Sequence, residues 1–240
     1  MTVIAVLLTF ASGASDVTSF TRLGNVFTSV MTGNITVFGL SLARGSASLA
    51  LHTVVALAGY VTGVAAGTLI GRYRTDRTSA KSAAEPDGER WPVHMTLTLA
   101  AELTLLAGVL AGWEATGSRP AGGAQYAILA AAACAMGIQS AAVVQLGLGN
   151  VSTTYLTGTL TGLVSSVARP DTKPAGGRRP AVLLGLLAGA VLAGVFLATI
   201  PDAVPALPLT ALVCALTLGS RGPGGHGGPG GHGGTGRVPP

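Results

Sequence analysis

The chain has 240 residues, of which 49% are hydrophobic and 10% charged, with a formal net charge of +5 and a mean hydropathy of +0.59. A soluble domain needs about a quarter of its residues charged to face water. A chain this poor in charge is therefore read as an integral, all-α membrane protein, with lipid as solvent and backbone polar groups satisfied inside helices. Aromatic residues are only 5% and the basic residues sit in short clusters between apolar runs, which argues against nucleic acid as a partner.

Eight apolar segments follow one another, at roughly 2–20, 24–42, 48–71, 94–113, 125–146, 150–168, 181–200 and 203–219. About 20 residues are needed for a helix to cross a hydrocarbon core of about 30 Å, and most segments qualify by length. The first lacks the basic start of a secretory signal and is kept as a span. It carries Asp16 well inside the apolar run. The second holds Asn25, Thr28, Ser29, Thr32, Asn34, Thr36 and Ser41, with Gly33 beside Asn34, and this predicts an interrupted helix. In the third, His52 lies near the start, where an interfacial place suits it. Gly59, Gly63 and Gly67 there form a small-residue series for helix packing. Glu102 sits in the middle of the fourth segment and Gln139 in the fifth.

The sixth segment repeats the polar character of the second, with Asn150, Thr153, Thr157, Gly158, Thr159 and Thr161. Cys134 and Cys214, both in apolar runs, give neither a disulfide framework nor a metal spacing. Beyond residue 219 the chain is dominated by Gly and Pro, so 220–240 is expected to be disordered. His226 and His232 in it are read as solvated spacers. No metal site and no cofactor are expected.

The second and sixth segments also align. Shifted by 125 residues, Leu23-Gly24-Asn25-Val26 falls on Leu148-Gly149-Asn150-Val151, and Thr28, Thr32, Gly33, Thr36, Ser41 and Ala43 fall on identical residues. With one residue of slippage, Gly13-Ala14-Ser15-Asp16 lies opposite Gly137-Ile138-Gln139-Ser140. Two homologous halves are expected, 1–114 and 125–219. If the polar segment of each half does not fully cross, six spans remain and Lys and Arg divide eleven to three between the faces. The eleven lie in the 72–92 and 169–180 loops and the tail; Arg22, Arg44 and Arg119 are the three. That split predicts both termini in the cytoplasm. Three spans per half also make the halves inverted repeats.

The run Gly13-Ala14-Ser15-Asp16-Val17-Thr18-Ser19-Phe20, then Leu23-Gly24-Asn25-Val26-Phe27 and Met31-Thr32-Gly33-Asn34, resembles the YoaK-type family of bacterial membrane proteins. Gly137-Ile138-Gln139-Ser140-Ala141 and Leu156-Thr157-Gly158 resemble the second signature of that family. The resemblance implies about six spans in the inner membrane and supplies no substrate.

An ionisable group inside a span costs a few kcal/mol and needs a reason. For Asp16 two readings stand: a proton or cation site helped by Asn25, Asn34 and nearby hydroxyls, or a structural group that caps a broken helix or hydrogen-bonds a neighbouring span. Glu102 would face a cavity or pair with another span. The candidate substrate- or ion-binding set is Asp16, Asn25, Thr32, Gly33, Asn34, Glu102, Gln139, Asn150, Thr157 and Gly158. No enzyme signature appears. The expectation is a secondary transporter or permease for a small polar solute or ion, meeting the lipid bilayer as its environment, with a homo-oligomer left open. The rival is a non-transporting scaffold or sensor partner whose polar motifs serve helix packing.

Overall fold

The computed structural model describes residues 2–79, 93–145, 158–161, 164–165 and 178–221. The described chain is all-helical: α1 (Thr2–Arg22), α2 (Met31–Ala43), α3 (Ala47–Ser79), α4 (Val93–Ala115), α5 (Gly122–Gln145), α6 (Arg178–Thr199) and α7 (Ala206–Ser220), with a short 3-10 turn at Pro201–Ala203 before α7. Six stretches are long and apolar enough to cross a membrane: α1, Ala47–Arg72 of α3, Met95–Ala115 of α4, α5, Pro180–Thr199 of α6, and the 3-10 turn joined to α7. At 13 residues, α2 reaches only about 20 Å at about 1.5 Å per residue and cannot span.

The second apolar segment is thus interrupted, and the interruption starts where α1 ends. Gly24 and Asn25 both take positive φ, 99° and 59°, and no helix continues through two such residues. Glycine is required at 24 for a second reason: a methyl group there would lie 2.1 Å from Cδ2 of His52. An irregular stretch, 23–30, then leads into α2.

Packing is crosswise. α1 lies mainly against α6 and α7, while α5 lies mainly against α3 and α4. Smaller contacts join α1 to α5 and α4 to α7, and α2 rests on α3. Small residues let the two principal pairs approach to backbone distance. A methyl at Gly13 would meet the Leu186 carbonyl oxygen at 2.2 Å, and one at Gly189 the Phe10 oxygen at 2.1 Å. In the other pair a methyl at Gly137 would meet the Tyr60 oxygen at 2.2 Å, and one at Gly63 the Cys134 oxygen at 2.0 Å. Gly185 likewise faces the Val6 oxygen and Gly59 the Ala130 oxygen. Contacts advance together along the chain, so α1 runs parallel to α6 and α3 parallel to α5.

Apolar side chains fill two buried clusters and also cover much of the outer surface. Val54, Val61 and Leu69 of α3 and Leu184, Leu187, Val191 and Val195 of α6 are exposed, a lipid-facing surface. The interior holds Thr9, Ser12, Ser15, Asp16, Thr98, Glu102, Gln139 and Ser140, all buried. One end of the bundle gathers the C-terminus of α1, the start of α5, the 116–121 loop and the turn before α7. There Trp113 Nε1 donates to the Pro201 oxygen (3.0 Å) and the Ser118 hydroxyl donates to Asp202.

Candidate functional site

The helix break is built by two side chains. Asp16, on the last turns of α1, accepts from the Thr28 amide (2.8 Å), the Thr28 hydroxyl (3.0 Å) and the Ser29 amide (2.8 Å) through Oδ1. Its Oδ2 accepts from the Ser29 hydroxyl at 2.6 Å. Asn34, from the first turn of α2, takes the Phe27 amide on Oδ1 (2.8 Å) and donates from Nδ2 to the Phe27 oxygen (2.7 Å). The amides of 27, 28 and 29 have no helical partner, and in hydrocarbon each unsatisfied group costs several kcal/mol. Asp16 and Asn34 supply acceptors at those positions. Three of these bonds fall on Oδ1 and one on Oδ2, so Oδ2 keeps one acceptor position. This is a capping geometry.

A second cluster lies deeper. Gln139, fully buried on α5, donates from Nε2 to the Leu8 oxygen (3.0 Å) and to Ser12 Oγ (2.8 Å) of α1. The Ser12 hydroxyl donates to the same Leu8 oxygen at 3.2 Å. Gln139 Oε1 is buried without a hydrogen-bond partner among the described residues. Glu102 on α4 is completely buried, and neither carboxylate oxygen has a partner among them.

Glu102 and Gln139 share a depth. Gly112 of α4 packs on Ile128 of α5 in an antiparallel pair, so stepping ten residues back along α4 and ten forward along α5 brings Glu102 level with Gln139 to within about one turn. Toward the Trp113 end of the bundle, between α1, α4, α5 and α7, lies a cavity of about 20 Å³ lined among others by Ser15, Thr18, Leu106, Trp113 and Pro208; Glu102 and Gln139 do not line it.

At the bundle end, His52 Nδ1 meets the Ser48 oxygen at 2.7 Å and Nε2 meets Gln125 Oε1 at 3.2 Å, while Gln125 Nε2 donates to the Arg22 oxygen at 2.9 Å. His52 is therefore buried in a network joining α3, α5 and α1. Tyr126 stacks beside it, ring centroids 4.4 Å apart.

The sequence-derived candidates divide accordingly. Asp16 and Asn34 are brought together at the break, and Gln139 and Glu102 at the deeper level. Asn25 and Thr32 are exposed, and Gly33 packs on Phe27 and Val30. Gly158 is exposed with open space around it, whereas Thr159 is buried. Asn150, Thr157 and the tail from 222 lie outside the described residues. Ser12 was not singled out in the sequence, although it sits one helical turn before Asp16 on the same face. Gln125 was also missed, since a glutamine at a helix start carries no signal until its partners are known. Among the described residues no group of three or more His, Cys, Asp or Glu is placed to hold a metal.

No solved structure matches the chain. It is 30% identical over 162 residues to the UPF0700 transmembrane protein YoaK of Bacillus subtilis strain 168, a match covering 68% of this chain and 65% of that protein, just under two thirds of its length. Residues 4–219 match the family described as "Protein of unknown function (DUF1275)". Six apolar helices, a polar interior and that match over nearly the whole chain lead to one conclusion: the chain belongs to the DUF1275 family and is a multi-pass integral membrane protein.

Proposed function

We infer that the protein is a secondary transporter or permease for a small polar solute or ion, with a proton-carrying carboxylate at Glu102 and no catalytic role. The carrying observation is that carboxylate, completely buried within a spanning helix, both oxygens without a partner among the described residues, at the level of a second such acceptor, Gln139 Oε1. An ionised carboxylate at that depth costs a few kcal/mol unless a cation joins it. A protonated one gains an O–H donor for an acceptor at the same level. Such a group exchanges a proton or cation whenever water reaches it from either face.

Two inverted halves are part of the reading, and the glycine contacts support it. Gly13 on Leu186 and Gly137 on Tyr60 are offset by 124 residues on one helix and 126 on the other, and so are Val6–Gly185 with Ala130–Gly59 and Phe10–Gly189 with Cys134–Gly63. Three contacts repeating at one pair of offsets are what a two-fold relation between halves produces. In inverted-repeat transporters the halves meet around a midplane site. The eleven-to-three division of Lys and Arg adds an orientation: termini in the cytoplasm, protein in the bacterial inner membrane.

The rival reading, a non-transporting scaffold, is favoured by the tight interior, since a cavity of about 20 Å³ holds about one water and no solute. Proteoliposomes separate the two. With an imposed proton gradient and a panel of small polar solutes, the transporter reading expects gradient-driven uptake of one class, lost in Glu102→Gln with insertion unchanged. Full flux in Glu102→Gln would overturn the role of Glu102, and no flux across the panel would leave the scaffold.

A further inference from the structure

A larger recess opens away from the Glu102 level, at the bundle end. It has a volume of about 460 Å³ and is lined by Phe20, Gly24 and Asn25 after α1, Arg44 after α2, and Ser48 and His52 of α3, with apolar walls from Val37, Leu40 and Leu49. That volume lies in the range of small-molecule sites. None of the lining residues is acidic. Arg44 is exposed, and its guanidinium meets no hydrogen-bond or ionic partner among the described residues.

His52 closes one wall of the recess, buried, with Nδ1 at 2.7 Å from the Ser48 oxygen and Nε2 at 3.2 Å from Gln125 Oε1. Gln125 Nε2 in turn donates to the Arg22 oxygen. Ser46, just before α3, completes the lining beside Arg44.

We propose that this recess binds a small oxyanion, a carboxylate or a phosphate, recognised by the Arg44 guanidinium with the Asn25 amide and the Ser46 and Ser48 hydroxyls. Arginine presents a planar fork that takes both oxygens of such a group at once, and a serine or asparagine N–H or O–H completes the shell. The same chemistry is offered by a dissolved anion and by the phosphate of a lipid headgroup at this depth of the bilayer. The site stands independently of the transport reading, because it uses none of the residues at the Glu102 level.

The test uses the full chain in two forms. In phosphatidylcholine nanodiscs it is titrated calorimetrically with inorganic phosphate and with succinate. In detergent supplemented with phosphatidylglycerol it is examined by native mass spectrometry. Saturable binding of phosphate or succinate, weakened at least tenfold in Arg44→Gln and less in Arg44→Lys, identifies a dissolved anion. Retention of phosphatidylglycerol by the parent and its loss in Arg44→Gln identifies a headgroup. Arg44 is exposed, so both variants fold. If neither probe binds in an Arg44-dependent way, the recess is no anion site and the proposal fails.

Discussion

Asp16 and Glu102 are both buried carboxylates on spanning helices, and they differ in what surrounds them. Asp16 accepts four hydrogen bonds that close the irregular 23–30 stretch, and each bond to a charged acceptor is worth about 1.5–3 kcal/mol. Glu102 accepts none from the described residues, so its desolvation is uncompensated. Substitution should therefore move stability in opposite directions. Asp16→Ala is expected to lower the thermal midpoint of detergent-solubilised protein sharply, through loss of about 3 kcal/mol or more. Glu102→Leu is expected to leave the midpoint unchanged or raise it, since an unpaired buried polar group costs about 1–3 kcal/mol. Size-exclusion monitoring of a heating series measures both. A stabilising Asp16→Ala would overturn the capping account. A large loss in Glu102→Leu would mean that the carboxylate is structurally paired.

At the level of elements, the glycines separate into those pressed on a neighbouring backbone and those facing open space. A methyl at Gly63 would sit 2.0 Å from the Cys134 oxygen, whereas nothing lies within 4 Å of one at Gly108 on α4. Gly63→Ala must push α3 from α5 and is expected to cost about 1–3 kcal/mol. Gly108→Ala removes a flexible residue from a helix and is expected to stabilise by up to about 1 kcal/mol. The same heating series reads the pair, and equal effects would deny the close approach. The spans and this packing role were legible before any coordinates, because an apolar run of helical length and a Gly-xxx-Gly series each carry a direct physical signal. The interruption of the second segment was legible from its hydroxyls and from Gly33 beside Asn34, but the break itself falls earlier, at Gly24 and Asn25, and Gly33 and Asn34 lie inside α2. What was not legible is partnership. Asp16 as cap and Glu102 as unpartnered group look alike in a linear chain, because the difference lies in whether Thr28 and Ser29 fold back within 3 Å. The partners of Gln139 are on α1, more than 120 residues away, and no local pattern announces them.

For the whole molecule, the proposed orientation places the C-terminal end of α3 and the start of α6 on the cytoplasmic face. Single cysteines at Ser79 and Thr172, introduced in a chain lacking Cys134 and Cys214, should both react with an impermeant maleimide only after the inner face is opened. Labelling from opposite faces would break the two-fold relation between the halves.

The crosswise packing also constrains how the chain is made. α1 is made well before α6 and α7, its main neighbours. Until they arrive, the face of α1 around Val6, Phe10 and Gly13 has no protein surface to meet, so α1 waits in the insertion machinery or beside it while more than a hundred residues follow. Assembly is then a closing event that waits on α6 and α7, and a chain cut short before α6 leaves α1 as an orphan for membrane proteases. Residues 1–118 expressed alone should be short-lived in a pulse-chase experiment. The same fragment should persist when residues 119–240 are made in the same cell, because the second fragment brings the helices that α1 was built to meet.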